Sequence, residues 1–561
     1  MLVLGVSDLK HDTAAALLDR EGPVAALEED KLTRSATTCG IPSAAIDRCL
    51  HEAGAELSDL SVAALARRPR QARIRGEALR NRKIAPRSAV TYQPACADGR
   101  LDELSEQLLR QSLNRRTRFV CFDHHLCHAA SAFYPSDFDR ALIVTLDEAG
   151  DMCSGMIAVG EGTELRVLSR LRFPHSLGWF YTQVTGLLGF RPHRDEHKVQ
   201  WLSKQGAPDF ITVFRKLFSK DSEGLPIVNF HYLRNRLGDG LGFSPEIGRD
   251  LQVAASSPPR ESALGASIAR SAQDFLEETV VELTETYRRK TRSRYLCLAG
   301  GVFLNVLLVR ALEKRAGFRK VFVQPVSGNP GSALGAGYLA QERLSEAPDR
   351  ERLSHLYLGP QFDSQEIKVV LDNCKMNYRY LPSDNQLIEE TTRLLQEHKI
   401  VAWYQGRMEF GHRALGNRSI LASPFSPYVM ENLNIYVKHR EDFHPFALAV
   451  PYEKSSELFE CGDNCRFMAS TGTLKSTLAE LQRFAFNGRT VRVHTVEKHV
   501  NPRFWALLQK FGETAPAAAL VNTSFNLFGE PLVCDPREAV RSFCCSGIDA
   551  LAMGNFLIVK R

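Results

Sequence analysis

Two stretches of this chain spell out the same small unit, and that repetition limits what the rest can fold into. Residues 1 to 30 read strand, turn, strand, turn, strand, as LVLGVSD, TAAALLD and PVAALEE, with Gly and Asp at the joints. Residues 141 to 171 repeat the figure as ALIVTLD, SGMIAVG and ELRVLSRL, and in both copies the first strand ends on an aspartate, Asp8 and Asp147. A three-strand meander cannot bury its own face, so each copy needs the helical segments and strands that follow it; the pattern is an internal duplication of an α/β unit. At 561 residues the chain also outgrows a single hydrophobic core, and two or more domains are expected.

Later segments extend the plan. A long amphipathic helix is predicted over 262–291, then a buried strand, YLCLAG, that runs into GGVFLN and another helix; KVFVQP then ends in SGNPGSALGAG. Such glycine-rich turns let backbone N–H groups approach a phosphate or adenosine with no Cβ in the way, which makes Gly300, Gly301, Asn305 and Gly331 candidate nucleotide contacts. The duplicated opening resembles the actin-like (ASKHA) architecture of sugar kinases and heat-shock ATPases. The polar stretch ERLSEAPDRERLSH reads as a linker, giving a first domain over 1–345, a linker over 346–358 and a second α/β domain over 359–561. In that second domain VAWYQGR, FALAVP and AALVNTSF are predicted strands. Helices are predicted near 426–437, 502–512 and 536–544, the last opened by Asp535-Pro536.

Composition removes other classes of function. Apolar residues are 44% and charged residues 24% of the chain, and no stretch approaches the roughly 20 apolar residues of a membrane-spanning helix. The start, MLVLGVSDLK, has no basic region, long apolar centre or cleavage site, so a cytoplasmic location and no membrane partner are expected. The 13 cysteines are an odd set, several inside apolar runs, as at Cys121 and Cys297, and read as reduced thiols. Neither Cys461 with Cys465 nor the Cys544-Cys545 pair has the partners of a zinc site. A net charge of +6 is small for this size, and nucleic acid is not an expected partner. The basic stretch 66–87, whose one acid is Glu77, reads as a solvated helical insertion.

Two constellations carry chemistry. In DHHLCHAASAF, His124 and His128 stand four apart at the start of a predicted helix, on one face and within reach of one cation; Asp147 could complete a two-histidine, one-carboxylate site. His125 faces elsewhere and reads as structural. In the second domain QGRMEFGHRALGNRS carries Arg407, Arg413 and Arg418 in a segment too rich in glycine to be one helix. Lys438 and Arg440 follow in VKHRE, Arg492 in TVRVHTV, and Asn522 and Ser524 in NTSFN. Converging cations with amide and hydroxyl donors suit a phosphate joined to a small carbonyl group.

The ordered set HDTAAAL, DHHLCHAASAFYPS, SLGWFYTQVTGLLGF, GGVFLN, GSALGAG, GRMEFGHRALGNRSIL, VKHRE, RVHTV and NTSFN…GEPLV resembles the NodU/CmcH/TobZ family of O-carbamoyltransferases over essentially the whole chain. The resemblance implies a first domain similar to the TsaD-type tRNA threonylcarbamoyl transferase and a YrdC-like second domain. It further implies that carbamoyl phosphate binds through Arg413, Lys438, Arg440, Arg492, Asn522 and Ser524, loses phosphate, and attacks the α-phosphate of ATP to give carbamoyl-adenylate. A small-molecule hydroxyl acceptor would then be carbamoylated in the first domain, near a divalent metal on His124, His128 and Asp147. His11, paired with Asp12, would deprotonate the acceptor. By the resemblance the metal is iron, with magnesium as a possible companion of ATP; the donor set alone suits iron, manganese and zinc equally. Neither the acceptor nor an oligomeric state is encoded in these motifs.

The first domain departs from the family pattern. Arg34-Ser35-Ala36 lacks the lysine of an R-x-K pair; Asp147-Glu148 replaces Asp-Gly, setting a carboxylate where phosphate would approach. Asn329 stands where the pattern has an aspartate, leaving a carbonyl oxygen for a metal, and EHKVQWLSKQG replaces EYKVMGLAPYG. Two alternatives follow: a tRNA threonylcarbamoyl-type transferase, or a non-catalytic or altered-reaction homologue with a degenerate first-domain site.

Overall fold

The computed structural model describes residues 1–35, 37–68, 106–107, 109–114, 116–236, 240–253, 260, 262–344, 352–527 and 529–560. Ala36, residues 69–87 of the basic stretch and residues 346–351 of the expected linker lie outside the described residues. The chain forms two compact units. One comprises residues 1–23, 38–43 and 56–352, the other 24–37, 44–55 and 353–561, so two short N-terminal segments belong with the C-terminal unit.

In the first unit the repeated sequence is a repeated topology. Leu2–Val6 pairs antiparallel with Ala14–Leu18 and parallel with Leu60–Leu65, which pairs parallel with Arg118–Cys121. In the second copy Arg140–Gly150 pairs antiparallel with Cys153–Glu161 and parallel with Tyr295–Ala299, which pairs parallel with Lys320–Val323; Glu164–Arg172 adds at the edge. The central strands are nearly continuous apolar runs because both faces are covered. Each fifth strand leads into a helix, His124–Phe133 in one copy and Gly331–Leu344 in the other. These two helices meet closely: a Cβ on Gly335 would lie 1.8 Å from the Cys127 carbonyl oxygen, so glycine is required there. The predicted long helix spans Ala263–Thr291, capped by Ser262, whose Oγ accepts the Gly265 N–H at 3.0 Å.

The second unit is built on a ten-stranded mixed sheet. Its order is Arg379–Tyr380, Phe556–Val559, Ala550–Met553, Val401–Tyr404, Arg418–Ala422, Leu520–Ser524, Ala447–Pro451, Thr490–Val496, Thr471–Leu474 and Phe459–Glu460. Period-two alternation sorts its side chains into two cores. Trp403, Leu421, Ala449 and Leu520 share one with residues of the helices Asp384–Gln396 and Pro502–Gly512; Ala402, Tyr404, Ile420, Leu448 and Val521 belong to the other. The helix Pro536–Cys544 starts as its sequence demands, with Asp535 accepting the Glu538 N–H at 2.8 Å. The helix predicted at 426–437 is instead a short turn, Val429–Glu431, running into a π-helical stretch, Asn432–Lys438. Among the described residues, no helix is long and apolar enough to cross a membrane.

Candidate functional site

In the first unit the helix His124–Phe133 begins on Asp123, whose carboxylate accepts the Leu126 N–H at 2.9 Å. That start sets His124 and His128 side by side, their Nε2 atoms 3.1 Å apart. Asp147 Oδ2 lies 3.1 Å from His128 Nε2 and 3.5 Å from His124 Nε2. Donors bound at about 2.1 Å and at right angles would stand about 3.0 Å apart, so the trio fits a single divalent ion. Burial opposes ionising Asp147, yet its hydrogen bonds to the two histidines hold it well below the carboxylate range. Burial likewise opposes protonating either histidine; at His124 the bond to Asp147 outweighs it and raises the pKa, whereas at His128 burial prevails and lowers it. The trio thus competes for a proton that a metal would replace.

The surroundings position this trio. Asp151 accepts the His124 N–H at 3.0 Å, and Ser176 Oγ donates to the carbonyls of Asp147 and Glu148 at 3.1 and 2.8 Å. A Cβ on Gly150 would meet the His124 ring at 2.0 Å, which only glycine avoids. Asp8, ending the other copy's first strand, has Oδ2 3.7 Å from His124 Nδ1; burial resists its ionisation, but Lys10, Arg67 and His124 hold its pKa at about 2. His125 is occupied elsewhere, 2.9 Å from Thr145 Oγ1 and 3.2 Å from the Cys153 carbonyl.

The other expected first-domain residues fall into distinct places. His11 Nδ1 lies 3.2 Å from Asp12 Oδ2, with the His11 side chain 59% exposed. Desolvation disfavours its charge, but the Asp12 bond and the fields of Asp12, Asp147 and Asp8 raise its pKa to about 9. The Asp12 bond is the largest of the raising causes, ahead of the fields of Asp147 and Asp8. Asn329 is a strut: its Nδ2 donates to the Asp8 carbonyl at 2.8 Å and to the His11 carbonyl. Asn305 caps the helix Val306–Arg315, accepting the Leu308 N–H at 3.0 Å, and its Nδ2 donates to Gln273 at 2.8 Å. Gly300 and Gly301 pass against Leu146 and Asp147, and Gly331 starts its helix against the Val326 carbonyl. Glu148 pairs with His193 at 2.9 Å, which neutralises the carboxylate that replaces glycine. Arg34 lies in the second unit, bound to the Leu532 and Pro531 carbonyls at 2.6 and 3.0 Å and to Glu530 at 3.1 Å.

In the second unit the expected cations separate into two groups. Arg492 and Asn522 sit directly across Ala447 in register, and Ser524 is two residues beyond Asn522, so the three share one sheet face. Arg413 and Arg440 lie near enough to Arg492, and Lys438 to Arg440, for their charges to repel. Burial, with Arg492 adding repulsion, pulls the pKa of Arg413 and that of Arg440 down to about 9, and burial alone lowers Arg492 to about 10. Burial and then Arg440 hold Lys438 well below the usual lysine range. Lys438 Nζ donates to Asn526 Oδ1 at 2.7 Å and to the Ser524 carbonyl. Arg440 Nε donates to Asn434 at 3.0 Å, and its Nη2 is buried without a hydrogen-bond partner. Arg407 and Arg418 do not join them. Arg407 donates to the carbonyls of Gly359, Val24 and Leu358 at 3.1, 2.9 and 2.8 Å. Arg418 projects from the opposite sheet face, stacks 3.7 Å over Tyr404 and donates to the Gln405 and Pro360 carbonyls at 2.7 and 3.2 Å.

Two contributors escaped the sequence reading. Glu409, fully buried, gathers the N–H groups of Leu415, Asn417 and Arg418 at 2.7, 2.8 and 3.1 Å, which folds the loop that presents Arg413. Its signal was its position as the lone acid among three arginines. His494, two residues after Arg492 and on the same face, accepts from Asn522 Nδ2 at 3.1 Å; burial lowers its pKa to about 3 and keeps it neutral.

Two family models match the chain. The carbamoyltransferase N-terminus family matches residues 2–338 and the carbamoyltransferase C-terminus family residues 392–560. The nodulation protein NolNO of Sinorhizobium fredii is 32% identical over 98% of this chain and 79% of its own length. NolO of Bradyrhizobium diazoefficiens is 33% identical over 78% of this chain and 79% of its own. The 3'-hydroxymethylcephem-O-carbamoyltransferase of Amycolatopsis lactamdurans is 30% identical over 46% of this chain and 48% of its own. Matched in both its halves, the chain belongs to the carbamoyltransferase family and is a carbamoyltransferase.

Proposed function

We propose that the protein is an ATP-dependent O-carbamoyltransferase: it makes carbamoyl-adenylate from carbamoyl phosphate and ATP and passes the carbamoyl group to a hydroxyl of a small natural product. The observation that carries this reading is the cluster of Arg413, Lys438, Arg440 and Arg492, whose lowered pKa values record burial and, for all but Arg492, mutual repulsion. Like charges so placed are relieved by a multiply charged anion, and guanidiniums grip a phosphate bidentately. Asn522 and Ser524 on the same face would hold the carbonyl end.

The steps balance. Water hydrolyses carbamoyl phosphate to carbamate and phosphate; a carbamate oxygen attacks the α-phosphate of ATP and expels pyrophosphate; an acceptor hydroxyl attacks the mixed anhydride and expels AMP, giving up one proton. The cation cluster would hold the donor's phosphate and the carbamate. Residues 359–561 would form this YrdC-like activating domain, and residues 1–345 the actin-like transfer domain, joined through 346–358. A metal bound by His124, His128 and Asp147, iron by family resemblance, would polarise the carbonyl under attack. His11, with Asp12, would take the hydroxyl proton, and Asp8 and Asp151 would keep His124 in place.

Pyrophosphate exchange into ATP that depends on carbamoyl phosphate tests the first half. The expected result is exchange with purified protein, followed by a carbamoylated small alcohol when an acceptor panel is added. Absence of both exchange and product would sink the mechanism, and carbamoylation of tRNA in place of small alcohols would reassign the acceptor.

A further inference from the structure

Apart from its histidine–aspartate site, the first unit has an open hollow of about 630 Å³ around Arg288, Arg289, Arg292, Arg294, Phe318 and Arg319. That volume lies within the range of small-molecule pockets, and among the described residues no carboxylate lines it. Part of this charge has an ordinary explanation. Arg288 and Arg289 occupy the last turn of the helix Ala263–Thr291, where cations complement the helix dipole. Arg294 and Arg319 do not: they immediately precede the parallel strands Tyr295–Ala299 and Lys320–Val323, and the Arg319 N–H donates to the Arg294 carbonyl at 2.8 Å. This pairing of two strand entrances brings their side chains to the helix end. Arg288 lies over the Phe318 ring at 6.0 Å, and its Nε is buried without a hydrogen-bond partner.

The hollow is also on the wrong side of the sheet for the acyl-transfer site. Ligands of open α/β sheets bind beyond the carboxyl ends of the strands, where Gly301 approaches Asp147. The arginines mark the amino ends, about 16 Å away along a five-residue strand. We propose that this hollow is a second anion site, taking a small molecule that bears several phosphates in a row. Five guanidiniums without a carboxylate match three or four negative charges better than one, and Phe318 leaves a flat wall beside them.

Calorimetric titration of the full-length protein with sodium tripolyphosphate tests this, using Arg292→Glu/Arg294→Glu/Arg319→Glu against Arg492→Met as the control for the C-terminal cluster. The three replaced arginines are exposed, and the exchange reaction and circular dichroism report whether the variant folds. The expected result is tripolyphosphate binding that survives Arg492→Met and weakens at least tenfold in the triple variant, with inorganic phosphate at least tenfold weaker than tripolyphosphate. Should the triple variant fail to fold, Arg292→Gln alone should weaken binding about threefold. Binding unchanged in the arginine variants, binding lost wholly with Arg492→Met, or binding of an RNA oligonucleotide but not of tripolyphosphate would each overturn the proposal.

Discussion

The two chemical centres of this carbamoyltransferase treat charge in opposite ways. In the first unit several charged groups near the histidine pair face a counterpart: Asp147 with His124 and His128, Asp8 with Lys10 and Arg67, Glu148 with His193. In the second, burial lowers the pKa values of three arginines and a lysine, and the charge of a neighbouring cation lowers Arg413, Arg440 and Lys438 further. A balanced site keeps its shape unaided, and a cation entering it must displace a proton. Cations buried beside one another favour a suitable anion, so binding and stability are linked there.

The sharpest break of this comparison is Arg413→Met/Arg492→Met. Truncating buried charge partners costs about 2–5 kcal/mol in binding, so exchange should fall by about 30-fold to 5,000-fold. Relief of repulsion should meanwhile raise the unliganded Tm by about 2–4 °C per kcal/mol released. A fall in Tm would mean the cations are paired as fully as those of the first unit. Asp147→Ala should do the reverse, lowering the apo Tm, and protein incubated with a divalent metal should then retain none by elemental analysis where the unaltered protein retains it. Product formation should then drop by about 100-fold, a few kcal/mol of lost Lewis-acid help, while exchange persists.

Glu409→Gln removes the charged acceptor of three N–H groups and should lower stability by about 1–3 kcal/mol, with a raised KM for carbamoyl phosphate and a smaller change in kcat. Smaller still is a proton signature. Burial and Arg440 hold Lys438 below its ordinary pKa, and a bound anion raises it again, so binding at pH 8 should take up a fraction of a proton. Calorimetry in buffers of different ionisation enthalpy reads this directly; proton release would reverse the assignment. Glu148→Gln should change product formation by less than about tenfold, because its pair with a 56% exposed His193 is solvent-screened.

Much of this was written in local sequence. The duplicated meander, the capped helices at 502–512 and 536–544, and the i, i+4 spacing of His124 and His128 depend on neighbours a few residues away, where periodicity and capping act. The same local reading grouped Arg407 and Arg418 with Arg413, because the three share one glycine-bearing segment. Strand alternation turned Arg418 to the far face, and the loop carbonyls of Gly359 and Leu358 took Arg407.

Sequence alone set the repeated strand order, the caps, the histidine spacing and the supply of cations. Only the tertiary structure decided which cations face each other, that Glu409 folds their loop, that Glu148 meets His193 and that two strand entrances bring Arg294 and Arg319 together. The physical reason is range. Turn chemistry and periodicity are properties of adjacent residues, whereas repulsion between Arg413 and Arg492 exists only after strands far apart in the chain have paired and excluded water from between them.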